Sequence, residues 1–194
     1  FLTVDWRARL EDHLGTFTCE LVEAKAAPLL NNPCKLACLS SACAVTEYAL
    51  PEREPHPWFY STFKDLIISL DTKSWMEYYV FWEINLLAEL GFGLELSVCA
   101  ATGRKSQLVY VSPKSGRAVS KSAGKQYHDR LLPLPTFLTS HREIRINPST
   151  SDFLAGLELS GYFLNRHIFS HHKNGEPAAR TRFIDRLKQS ATIS

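Results

Sequence analysis

Seven basic side chains are concentrated in residues 104–130, where Asp129 is the single acidic residue. Lys and Arg at this density are typical of surfaces that bind phosphate groups. Tyr110 and Tyr127 lie in the same stretch and offer aromatic faces on which an unpaired base can stack. The seven are Arg104, Lys105, Lys114, Arg117, Lys121, Lys125 and Arg130. The pattern predicts a site for nucleic acid or for an acidic partner. The competing interpretation is a solvated basic surface that balances acidic residues elsewhere.

The charge of the chain is unevenly distributed, although its 194 residues carry a formal net charge of only +2. Residues 1–101 contain seven Lys and Arg against fourteen Asp and Glu, a balance of −7. Residues 102–194 contain fifteen Lys and Arg against six Asp and Glu, a balance of +9. Such asymmetry between halves favours a polyanion-binding side in the second half.

Other residue spacings in the chain give weaker evidence for a chemical site. His167 and His171 stand four positions apart, as metal ligands on a helix can, but no carboxylate of the HExxH type accompanies them. Cys34 and Cys38 share that spacing and are better explained as buried core thiols. Gly103 to Ser106 lacks the glycines of a phosphate loop, and no hydrolase nucleophile elbow is present. We therefore predict a protein that is not an enzyme; a hydrolase with an unrecognised site is the least favoured alternative.

Apolar periodicity predicts the elements that position these residues. Leu2–Leu10 and Thr16–Val22 alternate as half-buried strands do, with a hairpin connection at Glu11–Gly15. Two strands alone are only marginally stable in water. We therefore expect them to belong to a larger sheet, a severed barrel. Two predicted helices start at Pro33 and Pro57, and a third covers about 72–90, between Asp71 and Gly91. A fourth runs from Ser149–Ser151 to about His171, and the last starts at Pro177. A short hairpin joins Leu108–Val111 to Arg117–Ser120.

The composition, 45 % hydrophobic and 22 % charged, is that of a globular protein. Charges or prolines interrupt every long apolar stretch, so none reaches the roughly 18–20 residues of a membrane span. Five cysteines without paired spacing fit a reducing compartment. The chain starts at Phe1 rather than Met and shows no signal peptide, so we expect a cytoplasmic, incomplete chain.

A resemblance to a known family rests on three stretches. Residues 81–103, FWEINLLAELGFGLELSVCAATG, resemble the central signature of RecO, a family of bacterial DNA repair and recombination mediator proteins. LVYVSPKSGRAVS at 108–120 and LLPLP at 131–135 are similar to the alphaproteobacterial branch of that family. WRARL at 6–10 through LVEA at 21–24 resembles the last strands of its N-terminal OB barrel. The resemblance covers nearly the whole chain.

This resemblance implies a mainly α fold. Residues 1–24 would be the C-terminal strands of an incomplete OB-fold domain, and 25–194 a helical C-terminal domain with a zinc-ribbon-like insert at about 94–121. Many relatives carry two C-x2-C knuckles in that insert. The matching positions here are taken as Cys99–Thr102 and Ser112–Ser115, so that Cys99 is the one thiolate left of four. Because hydroxyls are poor zinc ligands, we expect no cofactor and a metal-free ribbon.

The resemblance also implies a function and its partners. A family member binds single- and double-stranded DNA, anneals complementary strands, and works with RecR to load recombinase on strands coated by single-stranded-DNA-binding protein, whose acidic C-terminal tail it contacts. No membrane partner is implied. Many relatives have an arginine where this chain has Asn85, in the helix associated with tail binding. That departure leaves the position of the tail site open.

The residues expected to face DNA are the seven cations of 104–130, with two smaller sets beside them. Arg180, Arg182 and Arg186, predicted to point outward on the last helix, form the second set, and Arg7 and Arg9 of the barrel strands form the third. Their contacts should be mainly to phosphates, hence sequence-tolerant and weakened by salt. The alternative is a protein-interaction scaffold whose basic face binds acidic peptide tails without direct DNA binding. Both hypotheses require cations that gather on one face and are not neutralised by the acidic half.

Overall fold

Most of the described chain is helical. The computed structural model describes residues 1–10, 13–139 and 148–193. The helices are α1 (Pro33–Ala49), α2 (Pro57–Ser69), α3 (Trp75–Glu89), α4 (Lys121–Gly124), α5 (Thr150–His167) and α6 (Ala178–Ile193). The strands are β1 (Leu2–Arg7), β2 (Thr16–Leu21), β3 (Leu108–Val111), β4 (Ala118–Ser120) and β5 (Leu132–Pro133). The mainly α class predicted from the sequence is confirmed. None of the described helices combines the length and apolarity that crossing a bilayer requires.

Local capping signals determine where α1 and α5 begin. Asn32 precedes α1, and its Oδ1 accepts a hydrogen bond from the Lys35 N–H at 3.1 Å. Pro33, which has no N–H to satisfy, occupies the first helical position. Ser149 and Asp152 form a reciprocal capping box at the start of α5. These starts agree with the predicted ones.

The C-terminus of α3 is closed by a Schellman motif. Gly91 has a φ of +84°, a left-handed conformation that glycine adopts without steric cost. The Phe92 N–H donates to the Leu87 carbonyl at 2.7 Å, and the Gly91 N–H donates to the Ala88 carbonyl at 3.1 Å. The motif therefore places Phe92 at the exact point where the chain leaves the helix for the insert.

Two predicted helix limits need correction. The helix after Asp71 begins only at Trp75, with Ser74 as its N-cap, because residues 70–72 close short i→i+3 hydrogen bonds instead of starting the helix. The helix after Ser149 ends at His167 and not near His171, because a separate 3₁₀ turn covers Phe169–His171.

The core is built around α3, which packs against α2 and α5. Trp82 is buried, and its ring centroid lies 5.9 Å from those of both Phe59 and Phe63 of α2. On the other side, Phe183 of α6 places its ring 4.8 Å from Tyr79 and 6.1 Å from Trp75. Helix α6 also packs along α1. The last helix is therefore an integral part of the core.

A buried ion pair joins α3 to α6 inside this core. The Arg180 Nε donates to Glu83 Oε1 at 2.7 Å and its Nη2 donates to Glu83 Oε2 at 2.9 Å, a bidentate arrangement. Ser160 of α5 donates a third hydrogen bond to the same carboxylate. Burial alone would lower the pKa of the Arg180 guanidinium, but Glu83 raises it above its ordinary value. The guanidinium therefore stays charged, and the buried carboxyl group accepts three hydrogen bonds, the condition under which buried ion pairs are tolerated.

Strands β1 and β2 form an antiparallel ribbon with an apolar face that the described chain leaves uncovered. The register pairs Leu2 with Leu21, Val4 with Cys19 and Trp6 with Phe17, so these six side chains share one face. Every residue of both strands is nevertheless exposed. The predicted pairing is confirmed, whereas the predicted half-burial is wrong in this structure. Part of the predicted connection, residues 11 and 12, lies outside the described residues.

Candidate nucleic-acid interface

The densest group of basic residues lies in the segments that flank and connect the strands of a small sheet, which has the order β4–β3–β5. β3 pairs antiparallel with β4, with Leu108 opposite Ser120 and Val111 opposite Ala118. The segment after α3 joins this sheet edge, because the Glu95 N–H donates to the Gly116 carbonyl at 3.0 Å and the Ala118 N–H donates to the Glu95 carbonyl at 2.8 Å. The predicted hairpin is therefore confirmed, with a return strand one residue shorter than expected.

The hairpin turn holds Lys114 at its apex. The Ser112 carbonyl accepts the Gly116 N–H at 2.9 Å, and Gly116 has a φ of +67°. A Cβ at Gly116 would lie 2.9 Å from the Leu94 side chain, so both conformation and space require glycine here. The Ser112 N–H also donates to the Arg117 carbonyl at 2.9 Å. Lys114 and Arg117 are thus fixed at the same end of the hairpin.

Three further cations lie at the opposite end of the hairpin. The Arg104 carbonyl accepts the Cys99 N–H at 2.8 Å, and the Gln107 carbonyl accepts the Lys121 N–H at 2.9 Å. Because Cys99 also accepts the Ser120 N–H at 3.2 Å, Arg104, Lys105 and Lys121 all lie where β3 begins and β4 ends. The two groups are separated by the length of β3, about 10 Å. Lys125 and Arg130 follow in the segment that leads from α4 to β5.

All seven predicted cations of 104–130 are exposed. Within the described part of the chain, none of them has a carboxylate within 4.0 Å; Asp129 pairs with His128. Hydrogen bonds from Ser97 chiefly lower the pKa of Glu95, and the charge of Arg117 lowers it slightly further. The acidic half of the chain therefore does not neutralise these cations in the described residues, and the insert presents a positive surface.

Arg166 joins Lys114 and Arg117, the turn-end group, although nothing in its sequence position distinguishes it from the other basic residues. It lies in the last turn of α5, and its Nη1 donates to the Pro113 carbonyl at 2.6 Å. That hydrogen bond connects the helix end to the hairpin turn and adds a third exposed cation beside Lys114 and Arg117. Only a contact between residues 53 positions apart identifies it.

The two tyrosines predicted as stacking faces differ in access. Tyr127 is 56 % exposed. Tyr110 is partly buried, and its ring lies so close to Gly124 that a Cβ there would stand 2.5 Å from Tyr110 Cδ2. Tyr127 thus keeps an open face, whereas one face of Tyr110 is covered by protein.

The prediction that Arg180 points outward to bind DNA is wrong. Its side chain is 2 % exposed, because its donors are used by Glu83, Glu176 and the Leu157 carbonyl. Removing it from that network for a phosphate would leave Glu83 buried without a counter-charge. Arg180 is therefore a core residue of the helical domain.

The remaining predicted cations are exposed but lie elsewhere. Arg182 and Arg186 are exposed on α6, and Arg186 is close enough to Cys34 of α1 to lower its pKa, although burial has the larger, raising effect there. Arg7 is held by Asp5 at 2.9 Å on the surface of β1, and Arg9 follows that strand. No described contact joins any of these four residues to the cations of the insert.

Cys99 is buried against the end of β4. Its Sγ accepts the Ser120 N–H at 3.2 Å and lies 3.4 Å from Ser120 Oγ. Burial pushes the pKa of this thiol up, but hydrogen bonds from Ser120, Thr102 and the Ala101 backbone bring it down to about 6. The residue in contact with Cys99 is Ser120, whereas Ser112 of the expected second knuckle lies at the hairpin turn.

These residues do not fit a structural zinc ion. The side chains around Cys99 supply one sulfur and the hydroxyls of Thr102 and Ser120, whereas tetrahedral zinc sites use four sulfur, nitrogen or carboxylate donors. Across the described residues, no three His, Cys, Asp or Glu side chains form a group able to hold a metal. His167 and His171 belong to no such group either.

We expect purified protein to contain less than about 0.1 zinc per chain, because one thiolate with hydroxyl neighbours binds zinc weakly. Elemental analysis after dialysis against a metal-free buffer measures this directly. Cys99→Ser is the matched control, and the zinc content should not differ between the two proteins. One zinc per chain in the unaltered protein would contradict the prediction.

Comparison with known proteins gives a consistent result. Residues 30–176 match the family described as recombination protein O, C terminal. The DNA repair protein RecO of Rhodospirillum centenum is 51 % identical over 191 residues, which are 97 % of this chain and 75 % of that protein. RecO of Rhodospirillum rubrum is 45 % identical over 190 residues, 95 % of this chain and 75 % of that protein. No solved structure matches the chain with significance.

Proposed function

This chain belongs to the RecO family of DNA repair proteins, and from that membership we propose that it acts in DNA repair and recombination as a mediator that binds DNA and catalyses no covalent step. The observation that carries the proposal is the positive surface of the insert. Its seven cations are exposed and have no ion-pair partner among the described residues. Cations in that state are free to exchange their solvent ions for phosphates.

The arrangement supports binding without sequence preference. The cations lie on a hairpin turn, a loop and the short helix α4, and no long described helix or paired ribbon presents them to the base edges of a major groove. Lys114, Arg117 and Arg166 at one end and Arg104, Lys105 and Lys121 at the other can contact successive phosphates of one strand. Such contacts suit a protein that anneals complementary strands of any sequence.

We propose partners of two kinds in addition to single- and double-stranded DNA: RecR, and the acidic C-terminal tail of single-stranded-DNA-binding protein. The face of α3 around the half-buried Asn85 carries two exposed aromatic side chains, Tyr78 and Phe81. Exposed aromatic residues are frequent anchors in protein interfaces. Because Asn85 supplies no positive charge, a basic residue from another segment must pair with the acids of the tail.

We also propose that residues 1–24 belong to an OB barrel and 25–194 to the helical domain, with residues 94–121 as a ribbon-like insert. The uncovered face of the β1–β2 ribbon supports the first assignment. Six apolar or thiol side chains aligned on one face are what barrel strands turn toward their interior. Arg7 and Arg9 would then lie at the barrel surface.

Two titrations test the proposed function. A fluorescein-labelled dT30 oligonucleotide and a labelled acidic peptide are each added to the full chain at about 50 mM salt, where non-specific binding should be micromolar or tighter. We expect the oligonucleotide to bind, the logarithm of its affinity to fall linearly with the logarithm of salt concentration, and annealing of complementary strands to accelerate. Binding of the peptide with no binding of DNA would replace this proposal by the scaffold alternative.

A further inference from the structure

Three aromatic rings lie nearly parallel where α3, α5 and the insert meet. The Phe92 ring is stacked on His167 with centroids 4.3 Å apart and planes 12° apart. The His167 ring is in turn within 6° of the plane of Phe163, with centroids 6.3 Å apart. Phe163 is buried, His167 is half-buried, and Phe92 is 40 % exposed. The stack therefore begins in the core and ends at the surface.

The hairpin turn that carries the turn-end cations lies beside the middle and the buried end of this stack. Arg166 immediately precedes His167 and is hydrogen-bonded to the Pro113 carbonyl of the hairpin turn. Phe163 is close to the same turn, since a Cβ on Gly116 would lie 3.8 Å from its ring. The turn that carries Lys114 and Arg117 is thus docked on the end of α5 that carries His167.

The charge state of the stacked rings is compatible with the stacking of a neutral aromatic group. Burial lowers the pKa of the His167 imidazole, and the neighbouring Arg166 and His171 lower it further, which favours the uncharged form of the ring. Phe92 is held in place by the Schellman motif at the end of α3. A ring whose backbone is held by hydrogen bonds and whose one face is stacked on a second ring loses little freedom when a further ring stacks on it.

We propose that Phe92, backed by His167, is a platform on which one unpaired base stacks while Lys114, Arg117 and Arg166 contact the adjacent phosphates. This inference rests on the proposed function and deepens it by naming the preferred substrate. A base in a duplex is already stacked and paired and is not available to the platform. The surface therefore favours single-stranded over double-stranded nucleic acid.

The substitution Phe92→Leu tests the platform while keeping an apolar side chain and both backbone hydrogen bonds that close α3. We expect it to weaken binding of dT30 by about fivefold or more, the loss of one stacked base, and to change binding of a 30-base-pair duplex by less than about twofold. The salt dependence should keep its slope, because no phosphate contact is removed. Phe92→Trp should restore the affinity. Tyr60→Leu, which removes a more exposed aromatic ring on α2 outside the insert, is the matched control and should leave both affinities unchanged.

Failure of the platform and failure of the proposed function would give different results. Equal affinities of Phe92→Leu and the unaltered chain for dT30, or equal losses on dT30 and duplex, would overturn the platform while leaving DNA binding in place. Absence of binding by the unaltered chain would overturn the proposed function and the platform together. Circular dichroism and a thermal melt of each variant establish that the fold is retained.

Discussion

Arg180→Met is expected to lower the free energy of unfolding by about 3–5 kcal/mol, because it leaves the Glu83 carboxylate buried without its counter-charge. Glu83 is fully buried, and after the substitution only the Ser160 hydroxyl would remain as a described donor to it. Glu176 and the Leu157 carbonyl would lose the other guanidinium bonds. A fall of this size is a large part of the stability of a typical domain.

Urea unfolding followed by tryptophan fluorescence measures this loss, with Arg182→Met as the control. Arg182 is the exposed neighbour of Arg180 on α6, and its replacement should change stability by less than about 0.5 kcal/mol. The double variant Glu83→Leu/Arg180→Met removes both charges and should recover most of the loss. Equal stabilities of the two single variants would contradict the role assigned to the ion pair.

The second large effect concerns the insert. Replacing Lys114, Arg117 and Lys121 by Ala should weaken binding of dT30 by about 10- to 100-fold at low salt, and flatten the log–log salt slope by about 2. The flattening follows from the loss of three phosphate contacts, each of which contributes about 0.7 to the slope for a single strand. Both quantities come from anisotropy titrations at several salt concentrations.

A triple variant of the acidic half separates local contacts from overall charge. Lys35, Lys64 and Lys73 replaced by Ala remove the same number of positive charges from residues 1–101. This variant should keep the salt slope of the unaltered chain, because those lysines are distant in sequence from the insert and outside its hairpin. Equal flattening in both triple variants would show that net charge, and not the insert surface, determines binding.

Helix ends were predictable from the sequence because capping depends on residues within about four positions. Asn32 with Pro33 and the box at Ser149 satisfy the free N–H groups of a helix by local hydrogen bonds. Gly91 closes α3 for the same kind of reason, through a backbone conformation available to a single residue. The hairpin between β3 and β4 also follows from its own turn. No long-range information is needed for any of these features.

The burial of Arg180 could have been predicted from the helix face on which it lies, whereas the number of charged residues in its segment does not indicate it. It stands three, four and seven positions before Phe183, Ile184 and Leu187, so it shares their apolar stripe. Glu83 likewise shares a stripe with Tyr79 and Leu86 of α3. Two opposite charges, each on an apolar stripe, indicate a buried pair. What the sequence does not show is that the two stripes face each other.

The cations of the insert show a second kind of information that cannot be predicted from the sequence. Their density was visible in the sequence, but their division into a turn-end and a loop-end group depends on the register of β3 with β4. The addition of Arg166 and of the Phe92 stack depends on where α5 ends relative to the hairpin turn. Periodicity similarly identified one apolar face on the β1–β2 ribbon but could not say what covers it.

The separation of Glu83 and Arg180 along the chain has a consequence for biosynthesis. The two residues are 97 positions apart, so a ribosome adding about 5–20 residues per second makes the arginine roughly 5–20 s after the glutamate. Until then, closing the nascent bundle around α3 would bury a carboxylate without compensation. We therefore expect the helical domain to complete its folding only after α6 has emerged from the ribosome.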